Sequence, residues 1–489
     1  MTIIHNKQYY TFKDTHEFIQ KIKSVSQHSN NTMEGICMKK RIIAAVMATL
    51  VGLSMVGCGS TSSDNSSQNK TDNTDSTAQA ETSDGEKNPV TIRFYNYALS
   101  ETAKADWWGN TINNFEKEND WIDIETVTVD YNSMVSTFTN DIASGLSVDM
   151  VYGEISWIPS LAEAGFIQQP SQVLSQDFYD GYYDYVLDQF KYNGEVYGVP
   201  HYYTNSVIYV NKDLVEAAGL SMDEFPDTLD GLKEWIETLS DYYKSDDSVS
   251  TIFGLTTAEV PATGSNINAI YTAFGGTLLN EDGTLADLTA EPNKTAMNET
   301  LDFYKYLISN GYTQENLKLK DYRAAFGAGN VCMYVDSSWG YAQISEVDAN
   351  AANFTKAEAL PTTMGTYGKG NSLVESHCFL LGSSLTDEQK EAVDLFVQYC
   401  TTTDTMQDYL NNIGLAFPVH KNMEDCQISP ILEDAKAGVG NVVTQPMIPS
   451  LSSVQIELAT MVLNYVSNGM SEEDAINNYI SQAEYYINQ

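Results

Sequence analysis

Val331-Cys332-Met333-Tyr334-Val335 is an unbroken apolar run, followed at once by the polar turn Asp336-Ser337-Ser338 and by Trp339. A strand with one wet face alternates apolar and polar residues. Apolar residues throughout are expected where helices cover both faces of the sheet. Ser206–Val210 and Cys378–Gly382 share this character, and Val90–Tyr95, Ile122–Val129 and Val148–Tyr152 complete a set of short strand candidates. Helical patterns lie between them. Leu232, Trp235, Ile236 and Leu239 fall on one helical face, and Thr386 with Gln389 forms a capping box before the stripe Ala392, Val393, Phe396, Tyr399 and Cys400. Ser471 and Asp474 do the same before Ile476, Tyr479, Ile480, Ala483 and Ile487. Asp282-Gly283, inside Leu279–Leu288, predicts a tight hairpin. Alternating strands and helices argue for an α/β protein. Residues 89–489 are too many for one core, so two α/β lobes are expected.

At the N-terminus, Lys39-Lys40-Arg41 precedes the apolar run Ile42 to Val56 and then Gly57-Cys58-Gly59-Ser60. A basic region, a short apolar stretch and a small residue before the cut describe a secretory signal over 38–57. The run is too short, and its downstream flank too polar, to span a bilayer. Since the pattern starts at Met38, residues 1–37 read as an over-extended start, with translation beginning at Met38 or Met33. Residues 59–88 contain no aromatic or branched aliphatic side chain, so they cannot offset their ordering entropy and are expected to form a disordered leash reaching on the order of 30 Å. Cys58 directly after Gly57 resembles a bacterial lipoprotein signal. The resemblance implies a diacylglyceryl group on Cys58 and an outer-surface location, extracellular or periplasmic, at the cell membrane.

Composition narrows the function. The 489 residues hold 26 Lys+Arg against 66 Asp+Glu, a net charge of −40. Such a chain repels phosphate backbones, so nucleic acid is excluded as a partner. Three arginines (Arg41, Arg93, Arg323) leave little material for clamping anions, whereas 31 Tyr and 6 Trp are available for stacking. A neutral, polar ligand fits that balance better than an anionic one. No nucleophile elbow, zinc-protease helix, phosphate loop or EF-hand occurs, and His201, His377 and His420 are the histidines after the leash. Cys332, Cys378, Cys400 and Cys426 show no metal spacing and read as buried small hydrophobes in preference to disulfides. No metal, cofactor or catalytic group is indicated. Binding is favoured over chemistry.

Several segments in order carry a likeness to one family. They are Phe115-Glu116-Lys117 before Ile122–Val129; Ile142-Ala143-Ser144-Gly145-Leu146-Ser147-Val148-Asp149-Met150-Val151; and Leu161-Ala162-Glu163-Ala164-Gly165. Further along come Gly194 to Pro200 with Ile208-Tyr209-Val210-Asn211-Lys212-Asp213-Leu214 and Ala217-Ala218-Gly219-Leu220, then Phe326-Gly327-Ala328-Gly329-Asn330-Val331-Cys332-Met333 with Trp339. From about residue 90 to 425 the chain resembles the extracellular solute-binding proteins of ABC importers, in the sugar-binding family that includes the maltose-binding proteins. The resemblance implies a type II periplasmic-binding fold: two α/β lobes joined by a hinge with several chain crossovers and a ligand cleft between them. By similarity, lobe 1 is 89–203 plus 338–384 and lobe 2 is 204–337 plus 385–489.

A sugar offers an apolar C–H face to aromatic rings and a rim of hydroxyls to carboxylates and amides. Candidates just past strand ends are Tyr97, Glu101, Trp107, Glu154 and Trp157. At the expected crossovers stand Tyr202, Tyr203, Asn205, Trp339 and Tyr341, with Glu375 and His377 before the strand Cys378–Gly382. Tyr202 and Tyr203 point opposite ways in an extended chain, so one is expected to pack in the core. Trp121 and Trp235 read as structural. The expected function is a membrane-tethered monomer that captures a carbohydrate, an oligosaccharide, and hands it to an ABC permease. A binding protein for a polyol, polyamine or glycerol phosphate, and a secreted glycan-active enzyme, are the alternatives.

Overall fold

The apolar run at 331–335 opens a longer, wholly buried strand in the computed structural model, which describes residues 87–489. The signal, Cys58 and nearly all of the leash lie outside the described residues. In chain order the first half consists of β1 (Val90–Asn96), α1 (Thr102–Glu118), β2 (Ile122–Val127), α2 (Tyr131–Ala143), β3 (Met150–Glu154) and β4 (Gly198–Asn211). Then follow α3 (Leu229–Tyr243), β5 (Thr251–Gly254), α4 (Pro261–Ala273), α5 (Asn293–Ser309), α6 (Leu319–Gly327) and β6 (Val331–Ser337). The chain ends through α7 (Tyr341–Val347), β7 (Thr355–Glu358), β8 (Ser372–Gly382), α8 (Asp387–Cys400), α9 (Leu451–Val466) and α10 (Glu472–Ile487). Among the described residues no helix is long and apolar enough to cross a membrane.

The sheet order is β2-β1-β3-β8-β4-β6-β5. β1 pairs in parallel with β2 and β3, and β5 in parallel with β6. The connection between these two parallel groups is antiparallel and rests on β4, fourteen residues long and about 46 Å if fully extended. From Gly198 to Asn205 it pairs with β8; from Ser206 onward it pairs with β6 and β7. All fourteen residues are buried. Only Ser206–Val210 is legible as strand in the sequence, because Gly198, Pro200, His201, Thr204 and Asn205 break the apolar pattern. Within that stretch the faces alternate: Val207 and Tyr209 enter one hydrophobic core, Ile208 and Val210 a second.

Other expectations meet small corrections. Val148–Tyr152 begins two residues later, at Met150, and Ile122–Val129 stops at Val127. Asp282-Gly283 turns tightly, with Gly283 at φ 80° and one bridge between Leu279 and Leu285, but no hairpin strands form. The Thr386–Gln389 capping box is present in both directions, and Ser471 Oγ accepts from Asp474 N at 3.1 Å. Among the described residues Cys332, Cys378, Cys400 and Cys426 are buried free thiols. α8 covers the first core beside β1, with Phe396 5.7 Å from Phe94, while β7 pairs with the end of β4.

β7 carries an uncommon group. Glu358 is 7 % exposed opposite Ile208, and burial, reinforced by Asp434 and opposed by Lys356, pushes its carboxyl up to about 8. The folded state therefore holds a proton that the unfolded chain loses near pH 4.3, and stability falls as pH rises from there to about 8. Glu358→Gln should gain on the order of 2 kcal/mol over the unchanged protein at pH 9 and little at pH 5, by denaturant midpoints at both values. Equal offsets at the two pH values would contradict a buried protonated carboxyl.

Candidate functional site

β1 and β3 are parallel neighbours whose carboxyl ends lie side by side, the position at which open α/β sheets bind ligands. The chain leaves β1 through Asn96, whose Oδ1 accepts from Ala98 N at 2.9 Å and turns Tyr97 inward. It leaves β3 through Glu154, which accepts from Ser156 Oγ, toward Trp157. Gly153 permits that return, because a Cβ there would sit 2.8 Å from the Trp157 ring. Tyr97 stacks on Tyr152 at 5.7 Å and meets Trp157 at 6.0 Å, Tyr131 at 5.2 Å and His377 at 6.0 Å.

Two tyrosine–histidine pairs stand behind this aromatic wall. Tyr202 Oη is 2.7 Å from His377 Nδ1, and Tyr152 Oη is 3.0 Å from His201 Nδ1. Burial pushes His201 down to about 3, and burial with the nearby charge of Lys104 holds His377 well below the ordinary imidazole range. Both rings are neutral at physiological pH.

In front of the wall, a cavity of about 250 Å³ separates Ser100, Glu101 and Lys104 from Trp339, Gln343 and Glu346. Lys104 is 5 % exposed and its Nζ lies 2.7 Å from Glu101. Trp339 is half-buried, 6.1 Å from His377 by ring centroids. Nearby buried polar atoms lack a protein partner: Tyr97 Oη and Ser338 Oγ. Hydroxyls, carboxylates, an amide and a ring around one small space suit a ligand with many hydroxyls.

Of the sequence candidates, Glu101 and Trp339 line the cavity, and Tyr97, Trp157 and His377 join it through ring contacts. Others fall elsewhere. Trp107 packs 4.7 Å from Tyr409 and 5.0 Å from Trp108. Tyr202 is held by His377; Tyr203 packs on Phe417 and Tyr185; Tyr341 is buried at the start of α7. Both crossover tyrosines are thus fully buried, one more than expected, because β4 has no wet face. Asn205 is fully buried where β4 changes partners. Glu375 is placed by its backbone, opposite Thr204, and its side chain is outside the described set. Lys104, Gln343 and Glu346 were missed, although Lys104 stands three residues after Glu101, and Gln343 and Glu346 stand four and seven after Trp339.

The sequence from 110 to 437 matches the family of bacterial extracellular solute-binding proteins. The chain belongs to that family. A Brucella abortus protein described as a binding protein is 24 % identical over 377 residues, spanning 74 % of this chain and 85 % of the relative. The fold is shared with an ABC transporter solute-binding protein of Thermotoga lettingae, bound with α-D-tagatose, at a TM-score of 0.66 and 19 % identity, covering 82 % of this chain and 100 % of that one. It is shared also with the cyclic α-maltosyl-1,6-maltose binding protein of Arthrobacter globiformis, at 0.68 and 16 %, covering 82 % and 99 %.

Two tryptophans separate wall from core. Trp108 is fully buried against Tyr152 and Phe94, so Trp108→Ala should cost about 3–5 kcal/mol of ligand-free stability. Trp339→Ala should cost about 1–2 kcal/mol, since Trp339 lines the cavity and is only partly buried. Denaturant midpoints of the two variants check the ordering; equal losses would make Trp339 a core residue.

Proposed function

We propose that this family member captures a carbohydrate, an oligosaccharide, in the cavity between the 100–104 and 339–346 segments and delivers it to an ABC permease without chemical change. The observation that carries the reading is the partly buried Trp339 ring, which lines the cavity with Glu101, Gln343, Glu346 and Ser100. A ring takes the sugar's C–H face while the polar groups exchange hydrogen bonds with its hydroxyls. The sugars bound by the two structural relatives agree with this choice of ligand class.

The halves of the sheet on either side of the Asn205/Ser206 switch would act as the lobes. A ligand touching both would favour their closed arrangement by its differential contacts. Thermal-shift screening of the mature protein against mono- and oligosaccharides, polyols and polyamines tests the ligand class, with stabilisation by an oligosaccharide expected. Stabilisation by spermidine alone would overturn it. With the sugar so found, Trp339→Ala should weaken calorimetric affinity about 30- to 1000-fold, and unchanged affinity would remove the ring from the site.

The tether belongs to the same proposal. Residues 38–57 read as a lipoprotein signal, and a diacylated Cys58 would hold the protein at the membrane surface. Cys58→Ser should release it from the membrane fraction as soluble protein. Retention of that variant would remove the lipid anchor.

A further inference from the structure

Resting on the cavity assignment above, we infer that Arg323, which lies behind the cavity wall, is a positioning residue that fixes Trp339 and Gln343 together. Its guanidinium carbon lies 4.3 Å from the Trp339 ring centroid and covers one face of the indole. The same group donates from Nη1 to Gln343 Oε1 at 3.1 Å, so one plate braces two of the residues that line the cavity.

The plate is itself locked. Arg323 Nε and Nη2 donate to the two oxygens of Asp336, both at 2.7 Å, a planar fork that only arginine makes. Asp336 accepts further bonds from Tyr334 Oη at 3.1 Å and Ser337 N at 2.8 Å. Arg323 is 5 % exposed and Asp336 2 %. Gly340, next to Trp339, leaves room for the pair, since a Cβ there would collide with Asp336 Oδ2 and lie 3.0 Å from Arg323 Nε. With one indole face taken by the cation, stacking is restricted to the other, and the ring cannot turn without losing the cation–π contact. Lysine keeps the charge but loses the fork, the plate and the bond to Gln343.

The test uses the mature protein labelled with 5-fluorotryptophan, whose six tryptophans give six fluorine resonances. Trp339 is assigned by the signal lost in Trp339→Phe. In Arg323→Lys that signal should shift and broaden while those of Trp121 and Trp235, remote from the cluster, stay in place. An unmoved, sharp Trp339 signal in a folded variant would overturn the inference. Should Arg323→Lys not fold, Gly340→Ala, which presses on the pair at Asp336, is measured in its place: a shifted, broadened Trp339 signal supports the inference and an unmoved one overturns it. Calorimetry with maltotriose supplies the second arm. Arg323→Lys should weaken binding about tenfold, and the loss should shrink to about threefold or less, the share left to Gln343, in a Trp339→Ala background. A tenfold loss that persists in that background would overturn positioning through the ring. If maltotriose does not bind the unchanged protein, the fluorine signal still decides the positioning role, and it is the maltooligosaccharide reading of the site that fails.

Discussion

A strand buried along fourteen residues must find backbone partners for its entire length, and that requirement organises this protein. β4 meets it by changing partners once, from β8 to β6 and β7 at Asn205/Ser206. The change joins two parallel groups that would otherwise be separate sheets. It also brings the ends of β1 and β3 to face the turn after β6, where Trp339 sits. Ser206 Oγ donates to Leu373 O at 3.3 Å and Ser372 Oγ to Ser206 O at 3.1 Å, so hydroxyls help bond the backbone at the switch. Burying polar groups there without such bonds would cost about 1–3 kcal/mol each.

How much of this was legible in the sequence depended on the kind of signal. Val331–Val335 and Cys378–Gly382 announce themselves because helices on both faces require apolar residues throughout. The Thr386 cap and the stripe through Leu232 and Trp235 follow from helical spacing. The first part of β4 did not, since Pro200, His201, Thr204 and Asn205 are buried by partners far away in sequence or on other strands, and a local window cannot see them. The aromatic candidates suffered likewise. Trp107 and Trp339 both stand near turns at strand ends, yet Tyr409 and Trp108 cover the former while the latter keeps an open face.

The cavity's polar members show the converse case. Glu101 was legible as a residue past a strand end. Its partner Lys104 gave no such signal, because a lone lysine on a helix in so acidic a chain looks like any solvated surface charge. Yet a buried lysine three residues along from a carboxylate is how such a chain can place a cation without leaving it unpaired.

The scarcity of arginine acquires a structural meaning from this arrangement. Arg93 lies 3.6 Å from Glu125 and 3.8 Å from Asp141, and Arg323 is committed to Asp336 and Gln343. Neither described arginine offers a free fork to the cavity, and Lys104 already faces Glu101. The histidines nearby are neutral through burial. Under the proposed reading a ligand would meet hydroxyls, carboxylates, an amide and a ring held from behind, a set suited to shape and hydroxyl pattern. An acidic surface can vary around such a site with little effect on it, because exposed charges more than about 8 Å away are screened at physiological salt. Discrimination among ligands would then fall to the orientation of one indole and the few hydrogen-bonding groups around it, and so to the buried ion pair beside that indole.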